Sequence, residues 1–239
     1  MAHSRYNEPR GNVRLSGQKV SRRLTYSHNC PNLQIMAIKI NTEPCDASLV
    51  VGQSHWWGFP DLPQDVDWPC NSDGDHLTFI CQIRMEDIRH LDHLSELPDD
   101  GMLWFFADLD YFLGDDEARC EGMGEWSADS FRVIYSCKCT TLCTHELYWE
   151  SGEPAVLPAE SVTFEETGET EYCHKLLGQP AMTEGWENEN EGMLSLLQIE
   201  EEDRWHLRFF DCGMVNFMIP SEALQRLDFS RVSVCLHSL

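Results

Sequence analysis

Met102–Ala107 is an unbroken apolar run of six residues, and no apolar run in the chain is longer. A bilayer crossing needs roughly 20 such residues, so the chain has no membrane-spanning helix to offer. Runs this short, rich in aromatic and β-branched residues and separated by Gly, Pro, Asn and Asp, read as strands punctuated by turns. Strands are predicted at 77–83, 102–107, 131–137, 193–199, 205–210, 214–219 and 231–236. At Phe131, Val133 and Tyr135 the apolar residues alternate, which places one face of that strand inward. Met85, Ile88, Leu91 and Leu94 follow a helical spacing instead, so a short helix is predicted over 85–94, and Pro220 opens a second beside Ser221 and Glu222. Residues 151–192, rich in Glu, Gly and Thr, read as long acidic loops around Leu176–Pro180.

One pattern occurs twice. Gly58-Phe59-Pro60 is followed by an apolar strand ending Gln82-Ile83 and then by the glycine-led strand starting at Gly101. Gly178-Gln179-Pro180 is followed by a strand ending Gln198-Ile199 and then by the strand starting at Gly213. Three elements in one order predict two pseudo-repeats sharing a core, within one α+β, mainly β domain over 36–239. Gln82 and Gln198, at the ends of apolar strands, are expected to bond backbone groups near the repeat interface; the functional alternative is that they line a shared cleft. His174 and Lys175 stand beside the second Gly-x-Pro turn, where turn support or binding is expected.

Charge is unevenly spread. Residues 1–40 carry seven bases and one acid, a net +6, and residues 41–239 carry ten bases and forty acids, a net −30. Phosphate recognition needs Lys and Arg, so the acidic body predicts no nucleic-acid partner and no anionic membrane, and an attraction for basic proteins or peptides. Such acidity also serves plain solubility. The segment 1–35 shows neither helical nor strand periodicity and is expected to be a disordered basic extension. It has features of a transit peptide but no apolar face, and Met36, where ordered patterning begins, is an alternative start. Eleven cysteines, an odd number, without an apolar export segment predict reduced thiols and a cytoplasmic protein, with Cys81 and Cys235 in the core.

The motifs Gly58-Phe59-Pro60-Asp61-Leu62-Pro63, Trp68-Pro69, Leu77-Thr78-Phe79, Gln82-Ile83, Leu97-Pro98, Gly101, Phe105-Phe106, His174 to Pro180, Leu196 to Ile199 and Asp228 to Val232 stand in an order and spacing that resembles the YwqG-like family, a domain of unknown function. They cover about residues 50–239. Trp56-Trp57 departs from the small residue that the family prefers before its first Gly-x-Pro turn. The resemblance implies a roll-like, mainly β fold and no established activity. It also suggests distant kinship with programmed-cell-death-two-like proteins, chaperones of a ribosomal protein.

Several groups carry chemistry of their own. Cys137, Cys139, Cys143 and His145 supply four soft donors of the types that hold Zn²⁺, though their spacing departs from the two short pairs of a structural zinc site. Cys143 with His145 also has the composition of a nucleophile and its base, without a visible orienting group. Asn71-Ser72-Asp73-Gly74-Asp75 has calcium-loop oxygens, but its glycine falls too early and no closing Glu follows, so it reads as a turn. Trp56, Trp57, Phe59 and Pro60, with Trp68, Pro63 and Pro69, form an extended aromatic stretch suited to a basic, extended peptide, since rings supply area and cation–π contact; Trp68 is expected in the core. The sequence therefore predicts a non-enzymatic binding module for a basic protein or peptide, as a chaperone or adaptor. The alternative is a hydrolase-like or metal-dependent enzyme using a cleft between the repeats.

Overall fold

A computed structural model describes residues 36–45, 49–94, 96–137, 141–181 and 192–238. The expected basic extension at 1–35 lies outside them. Among the described residues thirteen strands follow in chain order: β1 (Met36–Pro44), β2 (His55–Trp56), β3 (Asp61–Pro63), β4 (Thr78–Arg84), β5 (Met102–Ala107), β6 (Gly124–Glu125), β7 (Phe131–Ser136), β8 (Leu142–Thr144), β9 (Glu160–Gly168), β10 (Lys175–Leu176), β11 (Met193–Glu200), β12 (Met214–Pro220) and β13 (Ser233–His237). Two four-residue helices, α1 (Met85–Ile88) and α2 (Ser221–Leu224), follow β4 and β12. Eleven strands form one sheet in the order β6-β13-β12-β11-β10-β1-β9-β2-β4-β5-β7, and β3 pairs with β8 in a separate ribbon. Every pairing is antiparallel.

The fully buried β5 explains how such a sheet can hold a core. Its side chains alternate between faces, so Leu103, Phe105 and Ala107 enter the main core while Met102, Trp104 and Phe106 join a second cluster behind it. On the first face the sheet curls until strands distant in its order touch. Phe105 of β5 meets Phe217 of β12 edge-on at 5.5 Å, although seven positions separate these strands in the sheet. Leu62 of the β3–β8 ribbon, with Val66 and Trp68, covers the second face around Leu77, Phe79 and Trp104.

The two Gly-x-Pro turns are fastened alike. Gln82 Oε1 accepts from the Asp61 N–H, the residue after Pro60, and Gln198 Oε1 accepts from the Ala181 N–H, the residue after Pro180. Each glutamine donates from Nε2 to a carbonyl just ahead of its turn, Gln53 or Cys173. The residues before the glycines, Trp57 and Leu177, both adopt positive φ, at 52° and 62°. An irregularity after Phe79 in β4 recurs after Ser195 in β11, and in each case sends two successive residues, Ile80 with Cys81 and Leu196 with Leu197, into the main core.

Three sequence expectations need correction. The helix expected over 85–94 stops at Ile88, because the Asp92 carboxylate accepts from the Glu96 and Leu97 N–H groups and turns the chain. The strand expected over 205–210 is a 3-10 turn (Asp203–Trp205) and a loop with His206, Phe210 and Cys212 at positive φ; Glu201 gathers the N–H groups of Phe209 and Gly213 there. The acidic stretch after 151 contains the nine-residue β9, paired along its whole length with β1. Val162 and Phe164 pack its inner side, Glu160 is buried and accepts the Trp205 indole N–H, and Glu165 and Glu166 are exposed, so acidity masked the alternation.

Candidate functional site

The aromatic stretch expected to meet a partner is inside. Trp56 and Trp57 are 0% and 1% exposed. Adjacent residues of a strand ordinarily point to opposite faces, but the positive φ of Trp57 turns both indoles into one core. Trp56 stacks on Trp205 at 5.7 Å, and Trp57 meets Trp205 edge-on at 5.2 Å. Among the described residues neither indole N–H has a conventional acceptor; edge-to-face ring packing is the geometry in which such a donor can rest against a π face. Pro60 is buried, Phe59 lies half-buried 5.5 Å from Tyr148, and Trp68 bonds the Leu77 carbonyl while packing against the second cluster.

The polar residues singled out beside these turns are occupied. Gln82 also accepts from the Trp104 indole and donates to Asp61, and Gln198 reaches the carbonyls of Glu171 and Cys173. His174 stacks on Trp205 and accepts the Glu200 N–H at Nδ1; burial pulls its pKa down to about 4, which keeps the ring neutral. Lys175 is fully buried with its ammonium donating to the carbonyls of Glu169 and Glu171, and burial lowers its pKa to about 8.

Of the four soft donors, Cys139 lies outside the described residues. Cys143 Sγ and His145 Nε2 stand 3.4 Å apart at an exposed strand end. Among the described residues no three His, Cys, Asp or Glu side chains converge as a metal ion requires, and no carboxylate bonds His145. The Asn71–Asp75 stretch is a turn, with Asn71 Oδ1 accepting from the Asp73 and Asp75 N–H groups.

A cleft of about 700 Å³ lies elsewhere, on the outer side of the first half. One wall is a small hairpin in which the Trp149 N–H donates to the Glu153 carbonyl and the Ala155 N–H to the Leu147 carbonyl. The hairpin leaves Tyr148 and Trp149 48% and 62% exposed on the cleft. The opposite side carries five carboxylates, Asp75, Asp108, Asp110, Asp115 and Glu117. Among the described residues the lysines and arginines contribute one lining residue, Arg119, and its charge is already engaged: Glu121 lies at 2.6 Å and Asp129 at 2.9 Å. The Arg119 guanidinium holds the Asp129 carboxyl well below the usual range. Asp108 behaves oppositely. Burial raises its pKa to about 6, and the neighbouring charges of Glu121 and Asp110 push the same way.

Sequence reading missed this cleft because its acids come from two loops, β3–β4 and β5–β6, and its rings from a third, β8–β9. The available signal was Tyr148-Trp149, an aromatic pair set among Glu146, Glu150 and Gly152, where no core pattern calls for it.

The model of a domain of unknown function, DUF1963, matches residues 54–162 and 144–237. The chain belongs to the DUF1963 family. This is the YwqG-like family. No curated protein matches the chain. The DUF1963 match ends on the last residue of β13 and begins just before β2, so β1 lies outside it although β1 sits between β9 and β10 in the sheet. The DUF1963 description names no activity, and no helix among the described residues is long and apolar enough to cross a membrane.

Proposed function

We propose that this DUF1963 chain is a binding module for an extended basic segment of another protein, seated in the cleft between the Tyr148–Trp149 hairpin and the acidic loops. The observation that carries this reading is the joining, in one concave site, of five carboxylates with two exposed aromatic rings. Carboxylates in a cleft focus an attractive field, and exposed rings offer cation–π contact and area at little entropic cost. The surplus of thirty negative charges over 41–239 would draw a basic partner from a distance. A chaperone or adaptor for a basic protein, such as a ribosomal protein, fits this chemistry.

Titration with hexa-arginine amide tests the reading. Binding weakens steeply as salt rises from about 50 to 300 mM, because exposed charges are screened over that range. Trp149→Ala lowers affinity roughly 3- to 10-fold, the loss expected for one cation–π contact with its buried area, and leaves stability unchanged because the ring is exposed. Absence of binding, together with turnover in a substrate screen, replaces this reading with the enzymatic one.

A further inference from the structure

Within the acidic side of the cleft, Asp108 differs from its neighbours. Asp75, Asp110, Asp115 and Glu117 are exposed to solvent, whereas the Asp108 side chain is 9% exposed. A carboxylate withdrawn this far from water ordinarily takes several short, charge-assisted hydrogen bonds. Among the described residues Asp108 receives one donor, the Asn71 amide, at 3.3 and 3.5 Å from its two oxygens. Both distances exceed the usual range for such bonds. Arg119 approaches only to 3.9 Å, because Glu121 and Asp129 hold its guanidinium.

One cation is thus shared among three carboxylates: the Glu121 side chain, 7% exposed, takes it at 2.6 Å, Asp129 at 2.9 Å, and the equally withdrawn Asp108 is served last. The fixing is firm on every side. Asp129, which holds Arg119, is itself fixed by the Ser72 N–H, and Asn71 accepts from two N–H groups of its own turn, so neither the guanidinium nor the amide is free to swing closer to Asp108. Asp108 therefore keeps acceptor capacity that the long Asn71 bonds and the distant Arg119 leave unused.

Resting on the reading of the cleft given above, we propose that Asp108 is the anchor for one cationic side chain of the partner, an ammonium or guanidinium group that enters past the Tyr148–Trp149 hairpin and completes the coordination that Arg119 leaves unfinished. The exposed acids attract basic segments in general, and Asp108 selects the one residue whose head group reaches the floor. A cation bound there favours the ionised carboxylate, so binding and the protonation of Asp108 oppose each other. The charged groups facing Asp108 are Arg119, Glu121 and Asp110, with the Asn71 amide.

The test is calorimetric titration of the full chain with hexa-arginine amide at low salt. It compares wild type with Asp108→Asn and with Glu222→Gln, a surface carboxylate outside the cleft that removes the same charge. Asp108→Asn is expected to weaken binding roughly tenfold or more, and Glu222→Gln by less than about twofold, since a desolvated charge contact outweighs an exposed one. Between pH 7 and 5 the wild type loses affinity, and Asp108→Asn loses less. Equal effects of the two variants overturn the anchor, while a continuing effect of Trp149→Ala keeps the cleft reading. Failure of the wild type to bind at any concentration up to about 1 mM overturns both. Should Asp108→Asn fail to fold, carbon-13 titration of the Asp108 carboxyl in wild type decides. Its midpoint falls when hexa-arginine is added if the anchor is correct, and an unmoved midpoint overturns it.

Discussion

His174 shows how much one buried ring can set. Its neutral imidazole accepts the Glu200 N–H and lies against Trp56 and Trp205, so protonation would destroy an acceptor and charge an aromatic stack. The folded pKa, near 4, lies below the ordinary 6.5. Unfolded chains therefore bind this proton first, and the contribution of His174 to stability, complete above about pH 6.5, is lost as pH falls towards 4. Asp108 at about 6 and Glu96 at about 7 have raised pKa values and act in the opposite sense, gaining stability on acidification across a similar range. The bulk pH profile consequently hides the histidine, and a difference measurement exposes it. Denaturant melts at pH 7 and 4.5 should show wild type losing about 2–3 kcal/mol more than His174→Gln on acidification. Parallel losses would place the pKa of His174 near its ordinary value.

At the scale of elements, the first Gly-x-Pro turn shows what the strand pattern alone does not supply. Gly58 has φ +75°, and a Cβ built on it would lie 2.6 Å from the Ala159 Cβ. The turn can approach the start of β9 this closely only because position 58 has no side chain. Gly58→Ala is expected to cost about 2–4 kcal/mol, part from the left-handed backbone and part from the contact. Adding Ala159→Gly should restore the contact share and leave the backbone share, so the double variant falls between Gly58→Ala and wild type in thermal melts. Complete rescue would mean that backbone strain contributes nothing. The turn motif itself was legible, since Gly-x-Pro announces a bend. That its glycine abuts β9 was not, because β9 begins about a hundred residues later in a stretch whose glutamates conceal its inner side chains.

For the whole molecule, the curl of the sheet makes one core of both halves. Phe217 of β12 touches Phe105 and Phe131, from β5 and β7, at 5.5 and 6.3 Å between ring centres. Truncating it to Ala should cost about 3–5 kcal/mol and shift one cooperative transition, because the cavity opens where the two ends of the sheet meet. Two separated transitions, with only the later-strand half destabilised, would show that the halves hold independently. The same curl decides which apolar segments reach the surface. It encloses Trp56 and Trp57, and leaves the Tyr148–Trp149 hairpin outside the cores at the cleft.

By itself the sequence determined the apolar strands β4, β5, β7, β11, β12 and β13, the two turns with their glutamines, and the acidity, because each depends on periodicity, on Gly and Pro backbone preferences, or on composition, all local properties. Only the tertiary structure decided that a left-handed residue sends two neighbouring tryptophans into one core. It alone brought acids from two loops to face a third, and left a buried carboxylate short of partners. Burial and proximity arise from how the sheet curls, and no local pattern encodes the distance between residues that far apart in the chain.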